Sequence, residues 1–382
     1  MRLNIQDNKL CCGCSACESI CPHKAITMES DFSGFLYPSI DANKCVDCGL
    51  CIKVCQFKYD YTRYNNFDIP YVYAGRQKQL KEVAKSQTGG LAALMYKQFI
   101  ETGGFVYGVT FDENQHIVFK GTGDKQLIEQ FRGSKYVQAD IRGIFSQIKN
   151  QIKEGKHILF VGTPCQVAGL KSFLPDKLHD NLLTVDLICH CNTSPGLWKS
   201  YVEYLEKKYK AKIIKADFRN KRYGWHKCLE TYSFNNGKEI VTGSYDYLFF
   251  AHLSSRPSCV CCPYTNLKRV SDITIGDYWG WEKNHIEWND NLGLNLILVN
   301  SLKGKEFFKT IEVFLDYKQT NIRDCLQPQL IEPIKNNPLQ DKFFKDYSTK
   351  GIKYVIYKYG DKNYIFRLKV LLKRIKQQIL HL

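Results

Sequence analysis

A duplicated pattern of cysteines constrains this chain more than any other feature. Cys11, Cys14, Cys17 and Cys21 follow the spacing C-x2-C-x2-C-x3-C, with Pro22 next, and Cys45, Cys48, Cys51 and Cys55 repeat it. Three thiolates two residues apart lie on one tight loop and can reach three irons of a cubane. The fourth points away and ligates the partner cluster. The expected ligand sets are therefore Cys11, Cys14, Cys17 and Cys55 for one 4Fe–4S cluster, and Cys45, Cys48, Cys51 and Cys21 for the other. Zinc sites favour two separated C-x2-C pairs, so the triple-spaced boxes argue against zinc. Cys12 falls outside the spacing and reads as a packed thiol. Gln56 stands where a second proline would be usual, but proline is not a ligand.

The chain has 382 residues, 17 cysteines and a formal charge of +16 from 54 Lys/Arg and 38 Asp/Glu. No stretch reaches the roughly 18 apolar residues of a membrane span, and MRLNIQDNKL has no secretory h-region. The expectation is a cytoplasmic chain in which cysteine serves metal or redox chemistry. Hydrophobic residues at 44% and charged ones at 24% exclude disordered and fibrous classes. The positive charge raises a cluster-containing nucleic-acid binder as a distant alternative, but no nucleic-acid motif is present, so none is expected as a partner.

The expected architecture is α/β (α+β overall). A two-cluster ferredoxin-like domain takes residues 1–60, with the tyrosine-rich run KYDYTRYNNFDIP as its linker. An α/β domain takes 61–300, its N-terminal part about 70–150 and its C-terminal part about 155–300. A helical, basic extension takes 301–382. Strands are expected at Tyr71–Ala74, His157–Val161, Leu182–Ile188 and Ile273–Ile275. A hairpin joins Phe105–Phe111 to Ile117–Phe119, and helices cover Leu91–Ile100 and Ile144–Ile152. Strands alternating with helices predict a largely parallel sheet. In the tail, Tyr364, Leu368, Leu371, Leu372, Ile375, Ile379 and Leu382 recur at helical spacing among basic residues. Such a helix can lie on an anionic membrane, dock on a protein partner or pack on its own domain.

Four later cysteines form a second signal. Cys165 follows a strand in HILFVGTPCQVAGL, Cys189 closes LLTVDLICH, and Cys259 and Cys262 make a C-x2-C pair. Ligands in open α/β sheets sit beyond the carboxyl ends of strands, so these thiols are candidates for a third 4Fe–4S cluster. Scattered buried thiols, or a nucleophilic Cys165 at a helix start, are the competing readings. A third signal is an anion cradle. Ser86, Thr88, Gly89 and Gly90 open a helix with hydroxyls and glycines, where free N–H groups suit a phosphate. Arg132, Ser134, Lys135 and Tyr136 add cations, a hydroxyl and a ring. A plain helix cap and a solvated basic turn are the alternatives.

These motifs occur in the order dicluster box, SQTGG, FRGSKYVQAD, GTPCQVAGL, DLICH, FRNKRYGW, RPSCVCCPY and SDITIGDYWGW. In that order the chain resembles the coenzyme F420 hydrogenase/dehydrogenase beta-subunit family, in its bacterial form with a fused N-terminal ferredoxin. The resemblance implies FAD and a third cluster in an α/β flavin- and cluster-binding domain. It turns the anion cradle into a candidate FAD site, to which Thr163 and Gln166 are added. Two departures stand out. Cys191 follows His190 where the family has glycine, and Cys261 lies inside the C-x2-C pair, so Cys189 and Cys191 both stay open as ligands.

The function implied is an oxidoreductase that takes electrons from a ferredoxin-like or other low-potential donor. Clusters pass them to FAD, which reduces a small organic substrate. An electron-transfer subunit serving a partner enzyme is the alternative. His190 and His226 are candidate proton donors. Arg219 and Lys221 are candidates for an anionic substrate group, with Trp225 stacking on its ring. Asp277 is read as a carboxylate capping a turn.

Overall fold

The computed structural model describes residues 10–58, 66–227 and 229–361. The cysteine-rich module combines a short helix α1 (Ala16–Ile20), an antiparallel hairpin of β1 (Ile26–Ser30) and β2 (Leu36–Ile40), and helix α2 (Leu50–Lys53). Each box runs from the loop before a helix, through the helix at Cys17 or Cys51, to a last cysteine just past its end, Cys21 or Cys55.

The body is built on β3 (Tyr71–Gln77), β4 (Phe105–Phe111), β5 (Ile117–Thr122), β6 (Ile158–Gly162), β7 (Leu182–Leu187), β11 (Ile273–Asp277), β12 (Asn295–Val299) and β13 (Leu315–Gln319). Their order across the sheet is β13-β3-β12-β11-β7-β6-β4-β5. Only the four central strands, β4, β6, β7 and β11, run parallel; the outer four pair antiparallel. The sheet is therefore mixed rather than largely parallel. β6 is buried along its whole length, and all but the last residue of β7 is buried, as strands covered on both faces must be. A second sheet, absent from the sequence expectation, joins β8 (Ile213–Asp217), β9 (Glu230–Phe234) and β10 (Glu239–Thr242) in antiparallel order.

Helices cover both faces. α3 (Leu80–Ala84), α4 (Leu91–Glu101), α5 (Ile144–Lys153), α6 (Pro164–Phe173), α7 (Pro195–Tyr209), α8 (Ser244–Phe250), α9 (Leu302–Ile311) and α10 (Gln340–Tyr359) follow the chain. α5 buries Ile144, Phe145, Ile148 and Ile152, a stripe at helical spacing. α6 starts at a capping box, with Thr163 as its cap, Gln166 three residues on and Pro164 in the first turn. The segment from residue 301 holds the helices α9 and α10, as expected, but between them β13 returns to the large sheet by pairing with β3. The amphipathic stretch from Tyr364 onward lies outside the described residues.

The cysteine module is not a separate bead. Ala16, Phe35, Tyr37 and Val54 join one apolar core with Val167, Leu170 and Trp198 of the body. Ser194 donates to the Ser33 carbonyl at 2.5 Å and the Gly196 amide to that of Gly34 at 3.1 Å. Gly169 lets α6 approach the first box, since a Cβ there would lie 2.8 Å from Cys14 Sγ. Among the described residues no helix is long and apolar enough to cross a membrane.

Candidate redox site

The first box turns at Gly13, whose φ is +68°, and enters α1 at Ala16. This brings Cys17 within electrostatic range of Cys11, Cys14 and Cys55. Cys21 lines a separate small pocket together with Cys45, Cys48 and Cys51. The fourth cysteine of each box thus sides with the other box. Cys48 is exposed, so the second set reaches the surface.

Cys165 stands in the first turn of α6, directly after β6, and Cys189 lies just beyond β7. Cys259 sits in the short 3-10 turn Pro257–Cys261, and Cys262 caps it. Cys189 feels Cys259, Cys165 and Cys262, while Cys262 in turn feels Cys165 and Cys259. Four thiols scattered over about a hundred residues of sequence therefore meet at the carboxyl edge of the parallel strands. Burial pushes Cys259 and Cys262 up to about 12 and Cys189 well above the usual thiol range. Cys165 moves the other way, lowered by the hydrogen bond from Cys12. The three raised thiols stay protonated unless a cation takes the place of the protons, as at a thiolate–iron site. The donor set fits a 4Fe–4S cluster. Cys191 is buried beside Cys189 and Cys259 and packs with Phe249 and Ile334. Cys261 is exposed, with its thiol 3.6 Å from the Ser258 carbonyl.

Between the inner ferredoxin set and the scattered set lie residues for which the sequence suggested no bridging role. Cys12, read as a packed thiol, is buried and hydrogen-bonds both Cys14 and Cys165. Gln56 donates to Cys12 Sγ at 2.9 Å and to the Cys165 carbonyl at 2.6 Å, and it accepts from the Tyr264 hydroxyl. The missing proline at position 56 was the one available signal, and it gave no hint of this contact.

Beyond Cys189 opens a cavity of about 340 Å³, within the ordinary range for ligand sites. Ser86, Thr88, Gly90, Arg132, Ser134, Lys135, Tyr136, Thr163, Gln166, His190 and Arg219 all line it. Gly89 lies behind, against Asn295 and the Gly75 carbonyl. Gly90 holds φ at +85° as the N-cap of α4, so the first amides of that helix face the cavity.

Several lining side chains are already committed to building the wall. Ser86 donates to the Glu82 carbonyl at 2.8 Å and accepts from Arg132 at 2.7 Å. Arg132 pairs with both Glu82 and Glu129. Lys135 donates to the carbonyls of Arg132 and Phe131, and burial lowers it to about 7. Thr163 and Gln166 satisfy each other in the α6 capping box. Tyr136 stacks on Phe249, with ring centroids 4.4 Å apart. Phe249, Phe250 and Trp279, which the sequence did not single out, supply further aromatic wall. The amide-rich helix start, the hydroxyls and the aromatic faces suit a planar, phosphate-bearing ligand such as FAD.

His190 accepts from Gln329 at Nδ1 (2.8 Å) and meets His252 Nε2 at 2.9 Å. Because His252 Nδ1 faces the Lys335 carbonyl at 3.1 Å, its proton belongs there, and His190 is the donor to His252. Burial, with His252 alongside, lowers His190 to about 4 and keeps the imidazole neutral. Asp277 bridges Thr88 and Arg219 rather than capping a turn. Arg219 also lies over the rings of Trp225 and Trp279.

Besides Gly89, three expected site residues do not line the cavity. Lys221 is spent on the carbonyls of Val83 and Thr88, 2.7 Å from each. Trp225 is fully buried behind Thr88 and Trp279. His226 sits half-exposed and pairs with Glu282 at 3.1 Å. In each case neighbouring polar or aromatic groups claim the side chain before it can reach the cavity.

Comparison with known proteins finds two matched spans. Residues 155–321 match the C terminus of the coenzyme F420 hydrogenase/dehydrogenase beta subunit, and residues 10–59 match a 4Fe-4S dicluster domain. A subunit of the F(420)H(2) dehydrogenase of Methanosarcina mazei is 21% identical over 319 residues, which are 79% of this chain and 82% of that relative. A chain in the xenon-derivatised F420-reducing NiFe hydrogenase complex from Methanosarcina barkeri aligns with a TM-score of 0.47 and 17% identity. The alignment covers 78% of this chain and 92% of that one. Over residues 155–321 this chain is thus similar to the coenzyme F420 hydrogenase/dehydrogenase beta subunit, and a match to a 4Fe–4S dicluster domain lies ahead of that span at residues 10–59.

Proposed function

We propose that the chain is an iron–sulfur flavoprotein that carries electrons from a low-potential donor to an organic substrate and works as a subunit of a larger redox assembly. The observation that carries this reading is the double position of Cys189. It belongs to the convergent four-thiol set and also lines the cavity. A cluster held by Cys165, Cys189, Cys259 and Cys262 would therefore abut whatever the cavity binds.

The residues divide the work. Cys48 puts the outer set at the surface, where a ferredoxin-like donor can approach. Cys12 and Gln56 close the contact between the inner set and Cys165. The first amides of α4 would receive phosphate oxygens on a wall that Ser86 and Thr88 brace through Glu82 and Asp277, while Tyr136, Phe249 and Trp279 would confine a planar ring system. FAD, when bound there, couples one-electron supply to two-electron reduction. Arg219, fixed by Asp277, offers a cation to an anionic substrate group, and His190 lines the cavity with its Nε2 proton shared toward His252. Subunit membership is supported by the Methanosarcina mazei relative, itself described as a dehydrogenase subunit. The basic stretch from Tyr364 to Leu382 is the candidate contact with that assembly or with an anionic membrane face.

Anaerobically purified protein is expected to carry about twelve irons, for three clusters, and a flavin absorbance band. Eight irons and no flavin would sink both the third cluster and the FAD site. Photoreduced protein mixed with candidate oxidants, a deazaflavin among them, then identifies the substrate by flavin reoxidation. Turnover by the isolated chain separates a self-contained reductase from an electron-transfer subunit.

A further inference from the structure

Arg256 is the least expected charge in the molecule. Its side chain is only 1% exposed, and among the described residues no carboxylate forms an ion pair with it. The other deeply buried arginines show the contrast, since Arg219 faces Asp277 and Arg269 faces Asp186 at 3.0 Å. A buried guanidinium without a counter-charge costs several kcal/mol, so something anionic must stand near it.

The groups near Arg256 that can carry negative charge are cysteine sulfurs, which burial keeps protonated unless they hold a cluster. Its Nε donates to the Cys11 carbonyl at 2.6 Å, and Nη2 lies 3.8 Å from Cys11 Sγ while donating to the Leu36 carbonyl at 2.9 Å. Nη1 donates to Gln138 at 2.7 Å, and the Tyr37 ring lies 4.3 Å from the guanidinium carbon. Its charge is felt at Cys11 and Cys14 of the inner ferredoxin set, and also at Cys165 and Cys259 of the scattered set. The outer set, Cys21 with Cys45, Cys48 and Cys51, lies in its own pocket, to which Arg256 does not contribute.

We infer that Arg256 is the shared counter-charge of the two inner clusters and holds their reduction potentials above that of the outer cluster. The inference rests on the three-cluster reading above. A 4Fe–4S core with four thiolates carries about −2, and one-electron reduction adds one more negative charge. A fixed cation within hydrogen-bonding reach of a ligand sulfur stabilises that added charge and raises the potential. Electrons entering at the exposed Cys48 side therefore run downhill toward the cavity. Arg256 acts through the cluster ligands, so it is a positioning residue.

The test is an anaerobic potentiometric titration of the whole chain followed by electron paramagnetic resonance, with Cys48→Ser used to assign the outer signal. In the wild-type protein the outer cluster should reduce last. Arg256→Gln should lower the inner midpoints so that, at a fixed potential, the ratio of reduced to oxidised cluster falls about tenfold. That is about 59 mV for one electron, and the outer midpoint should stay in place. Arg256→Lys keeps the charge and should retain most of the gap, even if Arg256→Gln fails to assemble. An outer cluster that reduces first in the wild type overturns the inference without any Arg256 variant. Twelve irons with unmoved inner midpoints in Arg256→Gln would also overturn it, whereas eight irons in the wild type would sink the three-cluster reading beneath it.

Discussion

The side-chain amide of Gln56 donates to the backbone carbonyl of Cys165 at 2.6 Å, tying the loop after the second cysteine box to the first turn of α6. The same amide reaches Cys12 Sγ, and the Tyr264 hydroxyl completes the group from the other side. One neutral side chain thus fixes the contact between the ferredoxin module and the body.

Replacing Gln56 with the proline usual at that position removes both donors and the acceptor that the Tyr264 hydroxyl uses. Removing one partner of a buried hydrogen bond costs about 1–3 kcal/mol. The expected result is an apparent Tm a few degrees lower under anaerobic conditions. An unchanged melt would show that the contact adds nothing.

Cys165→Ser should lose about four of about twelve irons and leave the dicluster spectrum intact. Cys261→Ser should lose none, because that thiol is exposed and turned to the Ser258 carbonyl. Cys191→Ser separates the two candidate ligands after β7: retained iron assigns the role to Cys189. Iron assay with absorbance spectroscopy reads all three variants.

Asp277→Asn leaves Arg219 buried without its carboxylate and weakens the anchor of Thr88. Breaking a buried pair from one side costs about 3–5 kcal/mol. Both a lower melting temperature and loss of flavin during gel filtration are expected. Retained flavin with a lowered melting temperature would confine Asp277 to a structural part.

Burial raises Glu230 to about 7, and the neighbouring Asp246 is pushed up in the same direction. A carboxyl raised on folding favours the folded state while it is protonated. Its contribution is therefore complete below the ordinary carboxyl range near 4.5 and is lost as pH rises to about 7. Glu230→Gln cannot ionise and keeps one acceptor oxygen, enough for either the Asp246 amide or the Tyr232 hydroxyl, which now reach separate oxygens. The difference in melting temperature between pH 5.5 and 8 should shrink in this variant; an undiminished difference would place the titration elsewhere.

The sequence by itself determined the cysteine module, because each box puts its ligands on one short loop and helix where spacing is geometry. It also located the core strands β6, β7 and β11, whose apolar runs admit only a covered sheet, and the α5 stripe. It placed most of the cavity wall in two motifs, since the α4 start and the Arg132–Tyr136 turn are local structures. What it left open depends on partners far apart in the chain. The return of β13 to the sheet is set by pairing with β3, across more than two hundred residues, and basic composition hides it. Cys165, Cys189, Cys259 and Cys262 come together only because parallel strand register aligns the ends of β6 and β7 beside the turn that precedes β11. Lys221, Trp225 and His226 carry the right chemistry in the right segment, yet nearby carbonyls, rings and a carboxylate claim them first. Arg256 opens RPSCVCCPY and Gln56 follows the second cysteine box, yet neither position shows in sequence what its side chain touches. Their roles arise where two surfaces close over buried sulfur and exclude water, an environment that only the tertiary structure creates.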